Sequence, residues 1–142
     1  MKRTGSALWT GGLKDGKGAV STQTKTLNRT PYSFLSRFES GAGTNPEELL
    51  AAAHAGCFSM ALAFGLQNAG MTPQSVETTA TVDLEQVGGG FTITKIHLAT
   101  TIKAPGKDAA AIKAAAEDAK KNCPVSKALA SVPMTLEAKV EV

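Results

Sequence analysis

Two cysteines are the residues of this chain best able to do chemistry, and their settings narrow what that chemistry is. Cys57 falls near the middle of an apolar, helix-like stretch in which Cys57, Met60, Ala61 and Phe64 recur at helical spacing. Taken alone, it reads as a small buried hydrophobe. Cys123 lies in Asn122-Cys123-Pro124-Val125-Ser126, directly before a proline suited to the first position of a helix. A thiol placed there has its thiolate favoured by unpaired amides and the helix dipole; with no partner it is only a helix-start residue. The absence of CxxC spacing weighs against a thioredoxin-like dithiol, and the two cysteines with His54 and His97 make none of the usual zinc patterns. No metal or organic cofactor is implied.

Those thiols must be held by a domain. The chain has 142 residues, 42% of them hydrophobic and 19% charged, which fits one globular domain over 1–142 and argues against disorder. Its net charge of +3 is spread along the chain and aromatics make up 5%, so no basic stacking platform for nucleic acid forms. The least charged segment, Leu49 to Met71, is rich in alanine and carries His54, Gln67 and Asn68, as a buried helix does, so no membrane span is expected. Met1-Lys2-Arg3 leads straight into Gly5-Ser6-Ala7-Leu8-Trp9-Thr10, with no apolar core long enough for a secretory signal, and in a reducing compartment a pair of thiols is more often buried filler, a metal fragment or a redox couple than a permanent staple. The cytoplasm is the expected location.

The elements that would position the thiols are also marked. Strand character runs over Ser6 to Thr10, Gly18 to Thr24 and Tyr32 to Phe38, separated by glycine and proline turns, and predicts a small antiparallel meander. Asn45-Pro46-Glu47-Glu48 reads as a helix start, with Asn45 as N-cap, Pro46 first and Glu48 closing a capping box. The helix is expected to run to about Asn68, before Gly70 and Pro73. Because its apolar residues surround the cylinder, it belongs in the middle of a protein. Val76 to Val87 and Phe91 to Lys103 predict a hairpin across Gly88-Gly89-Gly90. Asp108 caps a helix to about Asn122, Pro124 opens a short one, and Met134 to Val142 alternates as a last strand. The fold class is α+β, central helices packed on antiparallel strands.

Three runs of sequence carry a resemblance to a known family: Tyr32-Ser33-Phe34-Leu35-Ser36-Arg37-Phe38, then Gly43 through Leu62, with Asn45-Pro46-Glu47-Glu48 and His54-Ala55-Gly56-Cys57 inside it, and finally Asn122-Cys123-Pro124-Val125-Ser126. The chain is similar, over nearly its whole length, to the osmotically inducible protein C (OsmC) and organic hydroperoxide resistance (Ohr) proteins, and nearest to the OsmC branch through Leu27-Asn28-Arg29-Thr30-Pro31-Tyr32.

That resemblance implies an intertwined homodimer with two sites at the subunit interface, and a peroxidase for organic (alkyl or lipid) hydroperoxides. It places the peroxidatic cysteine at Cys57, the resolving cysteine at Cys123, and the family's arginine and glutamate at Arg37 and Glu47. On local sequence alone Arg37 is an ordinary strand arginine and Glu47 a carboxylate favouring the helix dipole. The implied reductant is an external dithiol, dihydrolipoamide or a lipoylated protein. Phe38, Phe58, Met60 and Phe64 are candidates to line an apolar substrate pocket, though each also reads as core. His54 reads as a satisfied core histidine. Ten residues separate Glu47 from Cys57, about 15 Å of helix rise, so Arg37 and Glu47 of one subunit are expected to serve Cys57 of the other. Two rival readings remain: a non-catalytic dimeric protein binding a hydrophobic ligand, and a structural stress protein with a fixed disulfide.

Overall fold

The computed structural model describes residues 1–142 and divides into two compact units, Met1–Leu49 and Leu50–Val142. In the first, β1 (Gly5–Thr10), β2 (Lys17–Thr22) and β3 (Thr30–Tyr32) form an antiparallel sheet in the order β1-β2-β3. Trp9 and Tyr32 stack across it, ring centroids 5.4 Å apart. Gly18 makes that possible: a Cβ there would lie 2.3 Å from the Tyr32 ring and 2.7 Å from the Trp9 ring.

The third expected strand stops early. Phe34–Phe38 is a short helix, α1, because Ser33 caps it and exchanges hydrogen bonds with Ser36 in a capping box. Two serines three residues apart fix the backbone more strongly than aromatic strand propensity does. A further difference concerns the next helix, α2 (Pro46–Asn68), which begins in the first unit and continues in the second. Asn45 caps it by accepting from the Glu48 amide at 2.9 Å, but the Glu48 carboxylate takes the Thr44 hydroxyl at 2.6 Å instead of closing a capping box.

In the second unit, β4 (Ser75–Val87) and β5 (Gly90–Lys103) form a long hairpin, turned by Gly88 and Gly89 at φ 59° and 84°. Alternate residues Ile96, Leu98, Thr100 and Ile102 are buried, the period-two pattern of a strand with one covered face. The final strand, β6 (Met134–Glu141), pairs with β5 in parallel, so the sheet is not wholly antiparallel. Helices α3 (Ala109–Asn122) and α4 (Pro124–Ala128) form the crossover that a parallel return requires. On α3, Ile112, Ala116 and Ala119 face inward on an i, i+4, i+7 row that ends at Cys123.

Within this unit α2 buries one face only. His54, Phe58, Leu62 and Leu66 are fully buried, four residues apart, while Met60 and Phe64 are 77% and 65% exposed. Burying each of the three apolar side chains contributes roughly 1.5–3 kcal/mol. A hydroxyl seam ties helix to sheet: Ser59 donates to Thr78 at 2.8 Å, and Thr78 meets Thr100 at 2.9 Å. Helix α2 is long and apolar enough to cross a membrane; in this structure one face of it packs on the core and is tied to the sheet by that seam. The all-round apolar pattern therefore does not mean all-round burial in the single chain.

Candidate functional site

The first unit holds the charged groups. Arg37, in the last turn of α1, and Glu47, in the first turn of α2, form a forked ion pair: Nη2 donates to Oε1 at 2.8 Å and Nε to Oε1 and Oε2 at 3.2 and 3.3 Å. Glu48 is occupied by Thr44, and the neighbouring carboxylate is the one that meets the guanidinium. Arg37 also lies over the Phe38 ring, 5.2 Å from its centroid, and the Phe38 ring leans on Phe34. These residues, with Trp9, Leu13, Tyr32 and Ser33, line a cleft of about 280 Å³. The sequence reading missed Trp9 and Tyr32 as lining residues; the sign it could have used is Gly18, which leaves room beside them.

The second unit holds the thiols. Both cysteines are reduced; Cys57 is half-buried and Cys123 fully buried, and the two thiols are neighbours, close enough for Cys123 to influence the ionisation of Cys57. Helix α2 supplies Cys57 one turn past His54, and Cys123 stands at the joint of α3 and α4, as C-cap of one and N-cap of the other. Burial pushes the Cys57 thiol up from its ordinary pKa; a backbone hydrogen bond from Val125 works against this, and the neighbouring Cys123 adds to the rise. An unassisted Cys57 is thus a poor thiolate.

Around Cys123 the contacts continue. Its Sγ accepts from the Ser126 amide at 3.3 Å and meets Ser126 Oγ at 3.0 Å, and Oγ meets His54 Nε2 at 2.7 Å. Ser126 was not singled out from sequence, although its place three residues after an N-cap cysteine is the spacing at which such side chains engage. His54 is buried as expected but only half satisfied, since Nδ1 has no protein partner. Burial lowers its pKa.

The structure thus joins Arg37 to Glu47 in one unit and Cys57 to Cys123 in the other. Of the expected pocket residues, Phe38 lines the cleft of the first unit, and Met60 and Phe64 stand exposed. Phe58 is a correction: it lies fully buried in the core of the second unit, where a substrate could not reach it without unpacking Leu62 and Leu66.

The family described as OsmC-like protein matches residues 39–137, a span that includes Glu47 and both cysteines. The chain belongs to the OsmC-like family. Its relatives include the peroxiredoxin OsmC of Escherichia coli K12, 52% identical over 129 residues, covering 91% of this chain and 90% of that one. The organic hydroperoxide resistance protein of Xanthomonas axonopodis pv. citri is 37% identical over 89 residues, 62% of this chain and 61% of that one. A crystal structure of an organic hydroperoxide resistance protein OsmC from Legionella pneumophila superposes with a TM-score of 0.70 at 27% identity, covering 98% of this chain and 97% of that one. In OsmC-like terms the chain carries one half-buried and one fully buried thiol, and a guanidinium held by a carboxylate.

Proposed function

We propose that this OsmC-like protein is a cysteine-based peroxidase that reduces organic hydroperoxides to alcohols, with Cys57 attacking the peroxide and Cys123 resolving the product. The observation that carries the reading is that two free cysteines from different elements are neighbours, close enough for Cys123 to raise the Cys57 pKa. Relatives named peroxiredoxin and organic hydroperoxide resistance protein support the same chemistry.

The thiolate is the nucleophile, and burial opposes it, so Cys57 requires a cation. We assign that task to Arg37, whose fork can bond the thiolate and the peroxide oxygens and offset charge moving onto the departing alkoxide. Glu47 holds the guanidinium in place. Ten residues of helix lie between Glu47 and Cys57, about 15 Å of rise. The Arg37–Glu47 pair of one subunit therefore serves the thiols of the other in a homodimer, and exposed Met60 and Phe64 supply apolar surface for that assembly. We read both units as one OsmC-like domain over 1–142; a family match over 39–137 that crosses their boundary supports this.

In the reaction, the Cys57 thiolate takes the distal peroxide oxygen, the O–O bond breaks, and the alkoxide leaves as alcohol once protonated. Cys57 is then a sulfenic acid, and Cys123 displaces its oxygen to form the disulfide and water. An external dithiol, dihydrolipoamide or a lipoylated protein, restores both thiols. The aromatic cleft beside Arg37 favours bulky alkyl or lipid substituents over hydrogen peroxide. The protein needs no bound cofactor for this cycle and works in the cytoplasm.

The test is anaerobic titration of the reduced protein with cumene hydroperoxide, following free thiols and intact mass. One equivalent is expected to remove both thiols of the wild type; Cys57→Ser should stay inert, and Cys123→Ser should stop at a sulfenic or overoxidised mass. Retention of both wild-type thiols through excess hydroperoxide would sink the assignment and bring forward a ligand-binding role.

A further inference from the structure

The sulfur that must attack the sulfenic acid is the more deeply buried of the two. Cys123 is fully inaccessible, so solvent hydroxide cannot easily take its proton, yet only its thiolate is an effective nucleophile. A route for the proton is built beside it: Cys123 Sγ is 3.0 Å from Ser126 Oγ, which is 2.7 Å from His54 Nε2. Every member is buried. Cys123 is the start of α4 and Ser126 its third residue, so the short helix fixes the first contact, while His54 reaches in from α2.

We propose that Ser126 and His54 form a proton relay that activates Cys123 for disulfide formation. The assignment rests on the peroxidase reading above and adds to it a role for two residues outside the Cys57, Cys123, Arg37 and Glu47 set. Ser126 is the catalytic residue, since it touches the reacting sulfur; His54, acting through it, is a positioning residue and the terminal proton acceptor. In the resting state the Cys123 thiol donates to Ser126 Oγ and the serine hydroxyl donates to His54 Nε2, which leaves the ring proton on Nδ1. During resolution both protons shift one place along this line. The sulfur lone pair then forms the S–S bond to Cys57 as the S–O bond breaks. The proton held at Nε2 returns through Ser126 to the departing hydroxide and completes one water. Two sulfurs share the oxidation that one carried, and no other reductant enters this step.

Burial keeps the imidazole neutral and able to accept. Cys57 lies one turn along α2 and Cys123 is reached through Ser126, while Lys120 and Lys121 share with Ser126 the lining of a cavity; only burial contributes to the His54 shift. The orphaned Nδ1 agrees with this role: no carboxylate or carbonyl accepts from its N–H, so nothing stabilises a buried imidazolium and it gives its proton back readily.

The experiment is rapid mixing of reduced full-length protein with one equivalent of cumene hydroperoxide between about pH 5.5 and 9. Dimedone trapping measures the sulfenic acid, and loss of the second thiol measures resolution. General acid–base assistance is worth about 10²–10⁴-fold. Resolution in His54→Gln and Ser126→Ala is therefore expected to slow at least 100-fold near pH 7, with the sulfenic acid accumulating. In both variants the rate should then climb with pH as hydroxide takes over, whereas the wild-type profile stays flat above the His54 titration. Ser126→Thr, which keeps the hydroxyl, should restore much of the rate. Circular dichroism and retained Cys57 reactivity report folding; where His54→Gln fails them, the Ser126→Ala and Ser126→Thr pair decides. Resolution within threefold of wild type at all pH values in Ser126→Ala overturns the relay. A wild type that forms no sulfenic acid overturns the peroxidase reading instead.

Discussion

The two units handle ionisable groups in opposite ways. The first sets a partly exposed Arg37 at the wall of an aromatic cleft and pairs it with the buried Glu47, their side chains 36% and 11% accessible. The second puts two thiols and an imidazole against its apolar core, where burial disfavours the ionised forms of Cys57 and His54. The buried carboxylate is matched by the guanidinium that forks onto it; the buried thiol has no such partner in its own unit and must be given a counter-charge to react. What the difference teaches is that, on the proposed mechanism, nucleophile and activating cation are prepared separately, each in the state its own surroundings favour.

The contrast breaks most visibly at Arg37. Removing one donor aimed at developing charge costs on the order of 10²–10³-fold. Arg37→Met should lower kcat/KM for cumene hydroperoxide by that much, and the pH at which Cys57 becomes alkylatable by iodoacetamide should rise. Arg37→Lys keeps the charge but not the fork, so it should fall between. An unchanged alkylation profile in Arg37→Met would show that the cation does not reach Cys57. Glu47→Gln tests the same pair more gently. The guanidinium keeps its charge but loses its forked partner, and a loss of about tenfold, one pKa unit on the thiol, is expected in the same assays.

Much of the frame was legible because its signals are local. Pro46, Asp108 and Pro124 announced three helix starts, and Gly88-Gly89-Gly90 the long hairpin, since caps and tight turns are set by neighbouring residues. The Tyr32–Phe38 segment misled because its apolar content outweighed the Ser33/Ser36 spacing that makes Phe34–Phe38 helical. Parallel pairing of β6 was not readable, for a strand's alternation is the same in either direction. Helix α2 misled in another way: Phe58 and Phe64 are both apolar on one helix, yet one is wholly buried and the other 65% exposed. Among the site residues, the cysteines stood out by type, but Arg37 and Glu47 needed the family resemblance. Ser126 became visible only when folding brought it to His54 across 72 positions of sequence.

The smallest effect concerns stability and sharpens the comparison from the other side. His54 is held neutral in the folded protein, its pKa lowered from 6.5 by burial. In the unfolded chain it titrates near 6.5. As pH falls below that value the unfolded state takes up a proton that the folded state refuses, so stability is fully present above pH 6.5 and is lost on acidification, down through the folded-state pKa. The slope from this one group approaches about 1.4 kcal/mol per pH unit over that window. Urea denaturation of His54→Gln should therefore show a weaker acid loss than wild type between about pH 6.5 and 5, whatever its stability at pH 7.5. Equal slopes in wild type and His54→Gln would mean that the imidazole titrates freely when folded, and the second unit would then not be the neutralising environment that distinguishes it from the first.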